Sequence, residues 1–129
     1  MFIRFVSGSI DEYSHTPAGL FCAALDLIES DELPEYESEA LKEVKEWFDV
    51  YMASPFDYLA FGDARYDRAI CWFKSTANKH LARAWELVQI LERNDIMIWT
   101  IRSPRVGLIH YEDDVQVFAQ PNHDVRRLL

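Results

Sequence analysis

Apolar residues crowd two short segments, 69–73 (Ala-Ile-Cys-Trp-Phe) and 96–101 (Ile-Met-Ile-Trp-Thr-Ile). Runs of this kind predict strands covered on both faces. Between them the pattern changes period. Leu81, Ala84, Trp85, Val88 and Leu91 recur at helical spacing, widened by Leu87 and Ile90, while Lys79, Arg83, Glu86 and Glu92 fall off that stripe. The spacing predicts an amphipathic helix, opened by Ser75 or Thr76 as a cap and stopped at Asn94-Asp95. A strand, a long helix and a second buried strand predict a right-handed crossover, with the two strands parallel in one sheet.

The rest of the chain falls around this unit. Residues 2–6 alternate weakly and read as a strand ended by Ser7-Gly8-Ser9. Thr16-Pro17 reads as a helix opening, with Thr at the cap and Pro where no N–H is needed. Leu20, Ala23, Ala24, Leu27 and Ile28 then form a helical stripe. A second helix is predicted over 35–52, with Leu41, Val44 and Phe48 inward and Glu39, Glu43, Glu46 and Trp47 on the other side. Ser54-Pro55 stops it, and the aromatic linker 56–68 is expected to pack down. Residues 106–111 and 115–120 predict two short strands joined through Glu112-Asp113-Asp114, a sequence suited to a tight turn. Residues 122–129 are expected to be a loose tail. The predicted order is β-α-α-β-α-β-β-β. It implies a single compact domain of the α+β class, a mixed sheet of about five strands with helices packed on it.

Composition narrows the setting. Half of the 129 residues are hydrophobic, enough for one domain with a real core. No apolar run approaches the roughly 18 residues of a membrane span. The start, Met-Phe-Ile-Arg-Phe-Val, reads as a strand and not as a signal peptide. With Cys22 and Cys71 as the two cysteines, a reduced, cytoplasmic protein is expected, both thiols serving as small core residues.

Charge changes the picture more. The net charge is −9, but residues 26–49 hold ten acidic and two basic residues, a net −8, whereas residues 65–129 hold eight acidic and ten basic, a net +2. The acidity thus belongs to one helical region. Such a face disfavours general nucleic-acid binding through phosphates, and it suits a basic protein partner or mimicry of nucleic acid.

Candidate chemistry is sparse. Lys74-Ser75-Thr76 lies where a strand meets a helix start, a natural anion site, with Arg102 at a strand end able to add charge. The Gly-rich loop of a nucleotide-binding P-loop is absent. His110, Glu112 and Asp114 alternate as metal ligands can, but a hairpin turn within the group would break the alternation. Ser7-Gly8-Ser9, near Asp11 and His15, lacks the pattern around a nucleophilic serine. No catalytic residue, metal site or cofactor is expected.

Residues 109–121 (Ile-His-Tyr-Glu-Asp-Asp-Val-Gln-Val-Phe-Ala-Gln-Pro) resemble the opening hairpin of a large bacterial class of pseudouridine synthases. That class continues with a Lys-Pro pair and a downstream Arg-Leu-Asp motif. Here Gln120 stands in place of the Lys and no such motif follows, so the resemblance implies a shared hairpin and not a shared activity. Taken whole, the start (Phe-Ile-Arg-Phe-Val-Ser-Gly-Ser-Ile-Asp-Glu), the segment Ala-Ile-Cys-Trp-Phe-Lys and the Tyr-Glu-Asp-Asp hairpin resemble a set of short bacterial proteins to which no activity attaches. That resemblance implies one compact cytoplasmic domain.

Two functions are therefore expected in order. The first is a non-enzymatic protein-interaction domain using the acidic helix, with Glu39, Glu43 and Glu46 as the partner face. The second is a binder of, or enzyme for, a small anionic ligand or nucleotide at Lys74, Ser75, Thr76 and Arg102, with 56–66 as a lid.

Overall fold

The computed structural model describes residues 1–11, 14–54 and 68–129; the predicted linker and lid at 56–66 lie outside them. The long strand β1 (Phe2–Ile10) is the axis of the fold. Phe2 and Ile3 pair with both β3 (Ile70–Lys74) and β4 (Trp99–Ser103), so these strands lie on opposite edges of β1. Val6 pairs with both β4 and β2 (Pro17–Gly19), which puts β2 on the β3 edge, further along. The sheet continues from β3 to β6 (Gln116–Gln120) and then to β5 (Leu108–Glu112). Among the described residues it has six strands, and every neighbouring pair is antiparallel.

The α+β class and the helices on a sheet are as the sequence predicts, but the sheet is antiparallel throughout and not mixed. The crossover differs in one respect. The strands flanking its helix, β3 and β4, are parallel to each other, but β1 runs antiparallel between them. The Ser7-Gly8-Ser9 segment is expected to end β1, but the strand continues to Ile10 because its far half has a partner of its own in β2. That partner occupies the residues expected to open the first helix. The Thr16 hydroxyl is instead taken by the Ser14 hydroxyl at 2.7 Å, and the Thr16 carbonyl accepts from the Asp11 N–H. The helix α1 (Leu20–Glu29) starts three residues later, with Gly19 at its cap.

Gly19 and Arg4 explain one another. β1 parts from β3 and takes up β2 around Arg4, leaving a fork. The Arg4 guanidinium fills it, donating from Nη1 to the Cys71 carbonyl at 3.0 Å and from Nη2 to the Pro17 carbonyl at 2.9 Å. A Cβ on Gly19 would stand 3.3 Å from Nη1 and 3.4 Å from Nη2. A Ser, Thr or Asp cap there would crowd the guanidinium, so the cap position lacks the usual side-chain oxygen.

Helices α1, α2 (Glu35–Tyr51) and α3 (Asn78–Arg93) cover one face of the sheet. Their inward residues Leu20, Ala24, Leu41, Val44, Phe48, Leu87, Val88 and Leu91 join Ile3, Phe5 and Phe73 in the main core. Leu41, Leu87 and Leu91 have no exposed surface, and burying a leucine contributes about 1.5–3 kcal/mol. Edge-on aromatic contacts tie α1 to α2, Phe21 to Phe48 at 4.9 Å, and the sheet to α3, Phe5 to Trp85 at 5.0 Å. Trp85, expected in the stripe, lies at its margin and is 43% exposed.

The opposite face has its own smaller core, in which Ile70, Trp72, Val117 and Ala119 are joined by Val106 and Val125. Val125 belongs to a short helix α4 (His123–Arg126), capped by the Asn122 side chain accepting from the Val125 N–H at 3.0 Å. The stretch 122–129 is therefore docked and not a loose tail. Gly107 permits this cover to sit close: its φ is +98°, and a Cβ would collide with the Gln120 carbonyl. The run 96–101 is also not a doubly covered strand. Ile96 and Ile98 pack on the main core before the strand begins, and β4 itself lies at the sheet edge with Trp99, Thr100 and Arg102 exposed. Cys22 is exposed on α1, whereas Cys71 is partly buried and its thiol is pushed up to about 12 by burial.

Glu37 joins α2 to α3 through two hydrogen bonds of 3.0 Å from Arg93. These bonds hold the Glu37 carboxyl below its ordinary value. A depressed carboxyl stabilises the fold fully above its unfolded value of about 4.3, and the contribution drains away as pH falls through the folded value. Glu37→Gln is therefore expected to lower the urea midpoint at pH 7 and to match the wild type in acid, where both chains carry a neutral side chain. Urea titrations of both proteins across the acid range measure this.

Candidate functional site

The outer side of α2 carries a continuous stripe. Tyr36, Glu39, Glu43, Glu46 and Val50 follow at steps of three and four residues. At about 100° per residue they fall within a band of roughly 80°. Leu41, Val44 and Phe48 lie on the opposite side and are buried. All five stripe residues are exposed, Tyr36 at 71% and Val50 at 73%. Fourteen residues of helix separate the two ends, or about 21 Å. The surface is thus an acidic strip with an apolar residue at each end.

Among the described residues its charge is not neutralised by an ion pair. Among the described residues, Lys45 bonds Asp49 at 3.1 Å and Arg83 bonds Glu86 at 3.0 Å, but no ion pair reaches Glu39, Glu43 or Glu46. Glu39 and Glu43 stand four residues apart, and like charges at that spacing repel. Tyr36 and Val50 were not among the sequence candidates. Their signal was present as two apolar residues out of phase with the core stripe.

At the C-terminal end of α2 a second cluster forms. The Trp47 ring meets His80 of α3 at 4.9 Å and Tyr51 at 5.0 Å, and the Arg83 guanidinium lies 5.4 Å from its centre. His80 Nε2 lies 2.8 Å from the Tyr51 carbonyl. Trp47 therefore anchors α2 on α3, leaving the three glutamates as the free part of the predicted partner face.

The strand–helix junction is arranged differently from the sequence expectation. The helix begins at Asn78, not at Ser75 or Thr76, and its cap residue Ala77 supplies no side-chain bond. Lys74 Nζ is engaged by the Glu112 carboxylate at 2.7 Å. The Ser75 N–H donates to the Met1 carbonyl at 3.1 Å, and the Ala77 and Asn78 N–H groups donate to the Lys74 and Thr76 carbonyls. Lys74 pairs with Phe2 and Arg102 with Ile3. Adjacent positions on β1 face opposite sides of a sheet, so the two cations diverge. Ser75 and Thr76 are exposed in the turn.

The β5–β6 hairpin turns on Asp113. Its Oδ1 accepts from the N–H groups of Val115 at 2.8 Å and Gln116 at 3.0 Å, and its Oδ2 accepts from the Tyr111 hydroxyl at 2.8 Å. Burial pushes the Asp113 carboxyl up, but these hydrogen bonds outweigh it and hold the group below its usual range. A bulge at His110 further breaks the alternation of His110, Glu112 and Asp114. Among the described residues no three His, Cys, Asp or Glu side chains are grouped to hold a metal ion. Nor is any helix among them long and apolar enough to cross a membrane.

No family model, curated protein or solved structure matches this chain. The stripe on α2 is therefore judged on its own chemistry. Replacing Glu43 by Gln removes its repulsion with Glu39 and Glu46. The fold is expected to gain about 0.5 kcal/mol with an unchanged circular dichroism spectrum, as measured by urea unfolding at low salt. Loss of stability would show that Glu43 holds the helix in place.

Proposed function

We propose that the protein is an interaction domain that docks a basic protein segment along the outer stripe of α2. The observation that carries this reading is the alignment of Tyr36, Glu39, Glu43, Glu46 and Val50 on one exposed band opposite the core side of the helix. Repelling carboxylates in a row lower helix stability slightly, and a cationic partner relieves that repulsion. The apolar ends give such a partner something to bury, since charge complementarity directs encounter and register more than it supplies affinity. A helix with Lys or Arg along its middle and an apolar residue near each end would match the strip. The rest of the fold holds α2 in place through Leu41, Val44 and Phe48 in the core and the Glu37–Arg93 link. No part of this reading requires chemistry at the site.

Affinity capture from host-cell extract tests the proposal, using the wild type, the Glu39→Lys/Glu43→Lys/Glu46→Lys variant and, separately, Tyr36→Ser. Partners are expected to be lost entirely with the triple reversal and weakened with Tyr36→Ser, and binding should fall as salt rises. Retention of every partner by the folded triple variant would overturn the assignment of this face.

A further inference from the structure

The edge strand β4 presents a second surface, independent of α2. Strand edges expose unpaired backbone groups, and proteins blunt them with bulges, prolines or charge. The β5 edge is interrupted by the bulge at His110. By contrast, β4 keeps an unbroken register with β1 over all five of its residues. Among the described residues it has no second strand partner. Its one charged residue is Arg102.

Tryptophans flank this edge on both faces of the sheet. Trp99 pairs with Val6, stands over Gly8 and is 50% exposed. On the helix face, Trp85 packs edge-on against Phe5, whose ladder partner is Thr100. We propose that β4 is a self-association edge, on which two copies pair antiparallel about a two-fold axis through Ile101.

The strand is self-complementary in that register. Ile101 meets Ile101 of the second copy, while Trp99 faces the small Ser103 and Arg102 faces Thr100, twice each. No like charges stand opposite one another. Trp85 of each copy packs on Phe5, the ladder partner of Thr100, so Arg102 of the other copy is brought to the side of the sheet that carries an exposed indole, a favourable cation–aromatic pairing. A register shifted by one residue would instead set Arg102 against Ile101 and turn the apolar and polar faces against each other.

Each half-exposed tryptophan offers roughly 100 Å². With strands this short, the contact falls at the low end of specific interfaces. The dimer is accordingly reversible, and it joins two six-stranded sheets into one.

The test is sedimentation equilibrium of the full chain from about micromolar to about millimolar concentration. Wild type is compared with Thr100→Arg and Thr100→Asp, two changes at an exposed position that leave both cores intact. Thr100→Arg sets two like-charge pairs across the axis and is expected to weaken the dimer by roughly 2- to 30-fold. Thr100→Asp sets two opposite-charge pairs and should tighten it by a similar factor. A wild type that stays monomeric throughout overturns the proposal, as does a dimer whose constant does not move in opposite directions with the two substitutions.

Discussion

One buried cation stands at the point where this sheet divides. β1 has β4 along one edge, and on the other edge it serves β3 near its start and β2 near its end. Where one partner leaves and the next arrives, backbone carbonyls lose their ladder donors. The Arg4 guanidinium replaces those donors for Cys71 on β3 and Pro17 on β2. Its planar fork suits two divergent acceptors, which the point charge of a lysine does not. The arrangement has a cost. Arg4 is only 8% exposed, its Nε has no partner among the described residues, and burial lowers its pKa, while the titratable neighbours Cys71, Cys22 and Asp11 act in the opposite direction. A guanidinium nevertheless stays charged, its ordinary value lying far above neutral pH.

Much else in the fold follows from that fork. Gly19 is small because the guanidinium lies against it, so α1 begins without a side-chain cap. With β1 shared among three strands, β3 and β4 fall on opposite edges, and α3 must pass over β1 to join them. That path brings α3 against α2, where Arg93 reaches Glu37 and His80 meets Trp47. It also leaves β4 at the margin. The acidic stripe and the β4 edge thus lie on separate elements.

Helices were the legible part of this sequence. Leu41, Val44 and Phe48, or Ala84, Val88 and Leu91, declare an inward face by spacing alone, and the structure buries them. Strand partners were less legible, because a period of two says which side a residue faces and nothing about which strand lies beside it. The run 96–101 illustrates this, its apolar residues being divided between the core and an exposed edge. Arg4 looked like an ordinary polar position in an alternating strand. Its two acceptors lie 13 and 67 residues away, beyond any local pattern. Thr16-Pro17 had the chemistry of a helix start, but the Ser14 hydroxyl and β1 claimed those residues first. Of the site candidates, Glu39, Glu43 and Glu46 were legible as exposed because their helix was. Lys74 and Arg102 were separated by a register that the sequence does not carry.

Hydrogen exchange on an Arg4→Lys variant tests most directly whether the guanidinium holds the fork together. Amides report local opening segment by segment. The predicted result is faster exchange at Ala18, Gly19 and residues 70–73, with protection kept in the β5–β6 hairpin and in α3. Unchanged protection at the fork, or an equal loss throughout the sheet, would contradict the account.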